Sequence, residues 1–240
     1  MPASDGAGIS IVIPAYNEAG RIGSTLTTIL DYLAAGGLDG EILVVDDGST
    51  DDTVAVVRGI LDESGPHRLL TGRGNRGKGF SVREGARCAT RPWTLISDAD
   101  LSTPIAEVEQ MLVAAREGGR DLVMGSRAMA GSRIGVYQGW LRRNMGRTFN
   151  LAVRAITGLP YKDTQCGFKL WRTESVRPLL DKLTIDGFAW DVELLWLARR
   201  GGLSLAEQPV AWNNAEGSKV AMVADPLRML RDLLRVRLRR

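Results

Sequence analysis

Histidine and cysteine are nearly absent from this chain: its 240 residues hold one His, His67, and two Cys, Cys88 and Cys166. A single imidazole excludes any mechanism that needs a His pair, and His67 reads as a turn or strand-edge residue. Two cysteines without metal-ligand spacing make no disulfide framework, so both are expected as reduced thiols in a cytosolic protein. No stretch of about 18 apolar residues occurs, so no membrane span is expected. The first eight residues, Met-Pro-Ala-Ser-Asp-Gly-Ala-Gly, show no basic and apolar signal pattern. No Gly-x-Gly-x-x-Gly follows the first predicted strand, and no Gly-x-x-x-x-Gly-Lys-Ser/Thr loop occurs. These absences argue against a dinucleotide dehydrogenase and a P-loop NTPase.

What is present is 44% hydrophobic and 25% charged, ample for one domain with a sizeable core. The net charge is only +3, but it is unevenly spread. Arg133 to Arg154 and the last thirteen residues are Arg-rich. Such patches imply anionic partners: phosphates, anionic lipid or nucleic acid.

Short apolar runs at Ile9–Ile13, Glu41–Val45, Trp93–Ser97 and Asp121–Gly125 read as buried strands, with a weaker one at His67–Thr71. Helical spacing covers Glu18–Ala35, Asp52–Ser64, Gly77–Thr90 and Pro104–Gly118. This alternation predicts an α/β fold with a mostly parallel sheet covered on both faces. Ligands of such sheets bind beyond the carboxyl ends of the strands. Four polar motifs follow predicted strands directly: Pro14-Ala-Tyr-Asn-Glu18, Asp46-Asp47-Gly48-Ser49, Asp98-Ala99-Asp100 and Gly125-Ser126-Arg127. All four are expected on one rim. Asp98 and Asp100, two apart on an extended segment, would point to one side and hold Mg²⁺ or Mn²⁺. A metal with few protein ligands suits a diphosphate, to which Lys78 and Arg127 would add charge-assisted hydrogen bonds. Asp46-Asp47-Gly-Ser also suits a strand-to-helix turn with a capping residue, and both roles are expected together.

In the second half, Gly139–Thr157 and Pro226–Arg240 read as amphipathic helices studded with arginine. Leu141, Met145, Phe149, Ala152 and Ile156 form one apolar stripe; Leu227, Leu230, Leu233, Leu234 and Leu238 form the other. Gly167–Trp171, Leu203–Ala206 and Val210–Trp212 are strand-like, and Ala189–Arg200 is an apolar helix carrying Asp191 and Glu193.

Together with Asn75-Arg-Gly-Lys-Gly79, the motifs above resemble family 2 glycosyltransferases of the GT-A fold. Asp163-Thr-Gln-Cys-Gly-Phe-Lys-Leu170, Trp190-Asp-Val-Glu-Leu-Leu195 and Glu216-Gly-Ser-Lys219 resemble the dolichyl-phosphate glucosyltransferases more narrowly. The resemblance runs from Ile9 to Arg239. It implies a single GT-A domain over 1–240, with a nucleotide-sugar and metal half (9–130) and an acceptor half (131–240). It implies inverting transfer of glucose from UDP-glucose to a polyprenyl phosphate, giving polyprenyl-phosphate β-glucose and UDP. Polyprenyl-phosphate mannosyltransferases, which use GDP-mannose, share much of the pattern. Their further metal-ligand Gln is replaced here by Ser102.

By this resemblance Pro14, Tyr16, Glu18, Asp46 and Asp47 line the nucleoside pocket. Asp191 and Glu193 stand where such enzymes often place a base, or position sugar hydroxyls. Arg133, Arg142, Arg143, Lys169 and Lys219 are candidates for the acceptor phosphate. The acceptor is a membrane lipid, so both basic helices are expected at the membrane, with the protein on its inner, cytoplasmic face, directly or through a membrane-protein partner. Nucleic-acid binding, prompted by a pI near 9.1, lacks any helix-turn-helix or RRM signature. A nucleotidyltransferase with an Asp-rich metal site is the enzymatic rival.

Overall fold

The computed structural model describes residues 8–36, 38–135, 140–213 and 224–238; of residues 140–145, 147 and 224–227 it describes the backbone alone. The first half alternates as the apolar periodicity dictates: β1 (Ile9–Ala15), α1 (Ala19–Gly36), β2 (Gly40–Asp46), α2 (Thr53–Arg58), β3 (Arg68–Thr71), α3 (Lys78–Cys88), β4 (Trp93–Ile96), α4 (Glu107–Glu117) and β5 (Leu122–Ser126). The second half adds β6 (Arg133–Ile134), α5 (Trp140–Thr157), β7 (Lys169–Arg172), α6 (Thr173–Leu180), α7 (Trp190–Arg200), β8 (Leu205–Pro209), β9 (Ala211–Trp212) and α8 (Ala224–Leu238).

Seven strands form one sheet in the order β3-β2-β1-β4-β7-β5-β8, and β6 pairs with β9 separately. Every pairing in the large sheet is parallel except those of β7, which runs antiparallel to both β4 and β5. The parallel register brings the carboxyl ends of β1, β2, β4 and β5 to one edge, as expected. Reversal of β7 has a further effect. Its first residue, Lys169, pairs with Ile96 and Met124, so the preceding Asp163–Phe168 segment arrives at that same edge.

Strand residues alternate between two cores. Val12, Val45, Ile96, Met124 and Trp171 pack beneath residues of α3, α6, α7 and α8, whereas Ile11, Ile13, Val44, Leu95 and Leu170 pack beneath α1 and α4. Burial on both faces explains why the strands read as continuous apolar runs.

Three expectations are corrected. The helix expected over 52–64 stops at Arg58, with Gly59 as its C-cap. Helix α6 was not foreseen; it starts directly after β7 and is only eight residues long. The apolar side of α8 is split. Met229, Leu233 and Val236 are buried, with α8 packed on α5 and α7, whereas Leu230, Leu234 and Leu238 are 38%, 49% and 80% exposed. Of the α5 stripe, Phe149 and Ile156 lie against the core, beside Val153, which is buried and outside the stripe. Among the described residues no helix is long and apolar enough to cross a membrane. His67 sits just before β3, where its Nδ1 accepts a hydrogen bond from Ile42 N (3.2 Å). Neither cysteine is paired.

Candidate active site

The loops after β1 and β2 are laced together. Asn17 adopts a left-handed φ of 54°. Its N–H donates to Ser49 Oγ (2.8 Å), and its Oδ1 accepts from Thr50 N (2.8 Å). Glu18 N donates to Thr53 Oγ1 (2.7 Å) and Ala19 N to Asp51 Oδ2 (3.2 Å). The free amides at the start of α1 are thus satisfied from the neighbouring loop. Pro14 and Tyr16 are half-buried on this edge, and Glu18 pairs with Arg21. Asn17 and Asp51 have no role in the sequence reading, and Ser49 enters it only as a helix-cap candidate; a hydrogen-bond partner about 30 residues away leaves no local signal.

Asp46 and Asp47 turn out to shape loops. Asp46 is buried and accepts from Gly48 N (3.1 Å) and Ser49 N (3.2 Å), an Asx-type turn. Asp47, also buried, accepts from Arg76 N (2.9 Å) through Oδ1 and from Gly77 N (2.7 Å) through Oδ2. Burial pushes the Asp47 carboxyl up, against these bonds. Asp47, expected in the nucleoside pocket, thus also ties the loop before α3 to the end of β2. That loop, Gly72-Arg-Gly-Asn-Arg-Gly-Lys78, has the spacing of a phosphate loop but continues with Gly79 in place of Ser or Thr. Asp47 takes two of its amides, and the carbonyl of Asp186 takes those of Gly79 and Phe80. Two of the loop's amides thus bind an internal carboxylate, as helix-start amides elsewhere bind phosphate. Gly77 has a φ of 113°, and a Cβ there would meet Asp186 O at 2.4 Å, so only glycine fits. These clamps fix the starting point of Lys78.

Asp98 and Asp100 lie on a turn, not on the extended segment expected. Leu101 N donates to Asp98 O (3.1 Å), and Leu101 has a φ of 48°. The turn still leaves both carboxylates half-exposed within one field of cations. Lys78 Nζ donates to Asp98 Oδ1 (2.5 Å), and Arg21 Nη1 lies 4.0 Å from Asp100 Oδ2. Burial raises the Asp98 carboxyl; Lys78, followed by Lys169 and Arg127, more than offsets this and holds it below the usual range. Burial likewise lowers the Lys78 ammonium, and Asp98, Asp191 and Asp100 raise it further than burial lowers it. Asp98 rests on Gly167, where a Cβ would lie 2.1 Å from its Oδ2. The Thr-Gln-Cys-Gly segment thus forms the floor of the Asp98 carboxylate. Beside it opens a shallow cleft lined by Ser97, Asp98, Ser102, Thr103, Gly167, Phe168 and Trp212.

Arg127 is held by Asp163, which was not assigned a role from the sequence. Arg127 Nε and Nη2 donate to the two Asp163 oxygens (2.7 and 2.9 Å), and Arg127 N donates to Oδ2 (3.0 Å). Asp163 N in turn donates to Glu207 on β8 (2.9 Å). Burial raises the Asp163 carboxyl, but Arg127 brings it down to about 2. The guanidinium lies over the Trp212 ring, 5.6 Å from its centroid.

Two expected roles are corrected by burial. Lys169 is fully buried; its Nζ donates to Cys166 O (2.5 Å) and lies 3.4 Å from Asp191 Oδ2, so it does not face an acceptor. Glu193 is fully buried on α7 and accepts from Thr184 N, Thr184 Oγ1 and Ile185 N at 2.8–2.9 Å. It clamps the loop before α7 and is no base. Asp191, 4% exposed, accepts from Val192 N (2.8 Å) and faces Lys169; burial raises its carboxyl, and the two lysines oppose this. Arg133 is largely exposed and paired with Glu107 (3.0 Å). The side chains of Arg142 and Arg143, and all of Lys219, lie outside the described residues. Among the described residues no group of three or more His, Cys, Asp or Glu could hold a metal ion. The oxygen donors available are the Asp98 and Asp100 pair, a hard set that suits Mg²⁺ or Mn²⁺ completed by a substrate's phosphates.

Residues 10–179 match the family described as Glycosyl transferase family 2. The dolichyl-phosphate beta-glucosyltransferase of Dictyostelium discoideum is 33% identical over 242 residues, covering 96% of this chain and 74% of that protein. The enzyme of that name from Drosophila melanogaster is 35% identical, over 95% and 74%. The human one is 32% identical, over 96% and 75%. Among solved structures, glucosyl-3-phosphoglycerate synthase from Mycobacterium tuberculosis in complex with UDP superposes with a TM-score of 0.70 at 22% identity, covering 97% of this chain and 80% of that one. The same enzyme with Mn²⁺, UDP-glucose and phosphoglyceric acid superposes with a TM-score of 0.70 at 21% identity, with the same coverage. At that identity the likeness speaks for the fold, which is GT-A. By the family match and the extent of these likenesses, the chain is a member of glycosyl transferase family 2.

Proposed function

We propose that this glycosyltransferase moves glucose from UDP-glucose to a polyprenyl phosphate with inversion, giving polyprenyl-phosphate β-glucose and UDP. The observation that carries this reading is the convergence of Asp98, Asp100, Lys78, Arg21 and Arg127 on one sheet edge. It is supported by about one-third identity, over nearly the whole chain, to dolichyl-phosphate beta-glucosyltransferases. Asp98 and Asp100 would hold Mg²⁺ or Mn²⁺, which as a Lewis acid supplies charge stabilisation to the departing diphosphate. Lys78 and Arg127 add positive charge on the same edge, and Gly167 keeps Asp98 in place. Pro14, Tyr16 and the Glu18–Arg21 pair form the nucleoside side of the rim, with Asp46 shaping its turn.

The acceptor removes the need for a strong base. A phosphate monoester is largely ionised at neutral pH, its second pKa lying near ~6. Asp191, buried and facing Lys169, then orients the sugar side of the site through its charge. The exposed row Leu230, Leu234 and Leu238 on α8, flanked by exposed Arg231 and Arg235, lies at the surface of an anionic bilayer where the lipid resides.

The test is lipid-linked glucose formed from UDP-glucose, Mn²⁺ and a polyprenyl phosphate in detergent, with UDP release measured in parallel. The wild-type chain is expected to form product, and Asp98→Asn to lose it by about a hundredfold or more. Pyrophosphate release in place of UDP would favour a nucleotidyltransferase instead.

A further inference from the structure

Lys78 occupies an unusual position for a phosphate-binding lysine. Its ammonium is bonded to Asp98, the carboxylate that the proposed reaction needs for its metal. This placement is built in. Gly77 and Arg76 are tied to Asp47, Gly79 and Phe80 to the Asp186 carbonyl, and Gly77 holds a φ closed to other residues. A second carboxylate, Asp191, also acts on the Lys78 charge and is buried at the start of α7. Arg127, by contrast, is locked in two hydrogen bonds to Asp163 and is not shared with Asp98 in this way.

We propose that Lys78 is a placeholder cation: it occupies Asp98 in the free enzyme and transfers to the donor's diphosphate when metal and nucleotide arrive together. The inference rests on the assignment of Asp98 to a metal under the proposed function. Its physical basis is competition between cations for one carboxylate. A divalent ion alone meets an Asp98 already paired and an ammonium whose other carboxylate neighbours are the buried Asp191 and Asp100, itself needed by that ion. A diphosphate supplies that ammonium with two anionic oxygens and supplies the metal with further ligands. Metal and nucleotide therefore bind as a coupled pair, and the coupling is reciprocal. The arrangement keeps the free enzyme from loading metal without donor.

The experiment measures Mn²⁺ binding by electron paramagnetic resonance of the free ion, with and without UDP. It uses the full chain as wild type, Lys78→Met, Lys78→Arg and Asp98→Asn. No sugar or acceptor is needed, so turnover plays no part. Wild type is expected to bind Mn²⁺ weakly alone and at least about tenfold more tightly with UDP. Lys78→Met is expected to bind Mn²⁺ alone at least about tenfold more tightly than wild type, and to lose most of the UDP enhancement. Lys78→Arg, which keeps the charge, should behave like wild type. Lys78→Met with unchanged or weaker Mn²⁺ binding alone, in a protein whose thermal melt is unaltered, overturns the placeholder while leaving the metal site intact. Absence of Mn²⁺ binding in every form, even with UDP, overturns the metal assignment and the placeholder together. Should Lys78→Met fail to fold, Lys78→Gln replaces it with the same expected outcomes.

Discussion

Asp98 depends on residues far from it in sequence. Its carboxylate rests on Gly167 and is paired by Lys78, and neither contact follows from the Asp-Ala-Asp triplet. Gly167→Ala is expected to push the carboxylate away from its present position. Turnover should collapse, and stability should fall by about 1–3 kcal/mol, the usual cost of overpacking; a thermal melt beside a UDP-release assay checks both. A larger loss of stability than of activity would contradict the placement. Glu193 gives the opposite pattern. Glu193→Ala strands the buried N–H of Ile185, at a cost of roughly 1–3 kcal/mol, and releases the more exposed Thr184 from the loop before α7. Denaturant unfolding should show the loss, while the folded fraction keeps most of its activity. Asp163 carries an acid signature. Its folded pKa, about 2, lies below the ordinary value of 3.8, so its stabilising effect is full above pH 4. It is lost as pH falls towards 2 and amounts to about 2 kcal/mol. Asp163→Asn should flatten that part of the stability–pH curve, which urea titrations from pH 5 to 2 would read. The residue types at the site were legible because hard-cation chemistry needs paired carboxylates. Their bonding was not, because Glu193, Asp47 and Lys169 look the same in sequence whether they face a substrate or a buried amide.

Among the elements, α8 divides one apolar pattern between two tasks. Met229, Leu233 and Val236 face the core; Leu230, Leu234 and Leu238 do not. A five-leucine stripe in sequence says only that the helix is amphipathic, and the neighbouring helices decide which leucines are covered. Leu233→Ala should cost about 2–5 kcal/mol, as for other buried leucines. Changing Leu230, Leu234 and Leu238 to Ser should leave the melt nearly unchanged, by about 0.5 kcal/mol per site. It should also lower binding to vesicles of anionic lipid in a flotation assay. Equal binding by both proteins would remove the membrane role from this face. Strand β7 shows what periodicity leaves open. Gly167–Trp171 reads as a strand, but burial on both faces carries no mark of direction. Its reversal brings Asp163, Cys166 and Gly167 to the rim and thereby assembles the floor of the site.

At the scale of the molecule, the parallel part of the sheet was legible from alternation alone. Four strand-end motifs had to meet on one edge once β1, β2, β4 and β5 ran the same way. The donor was not legible in this manner, since a diphosphate and a metal look alike to Asp98 whichever base and sugar they carry. The most direct measurement is therefore a donor panel. The chain, Mn²⁺ and a polyprenyl phosphate in detergent are mixed in turn with UDP-glucose, GDP-mannose and other UDP-sugars, and lipid-linked product is counted. Lipid-linked β-glucose from UDP-glucose, absent with Asp98→Asn, is the predicted result. Lipid product from GDP-mannose alone would contradict the donor, and no lipid product from any donor despite nucleotide binding would contradict the lipid-phosphate acceptor.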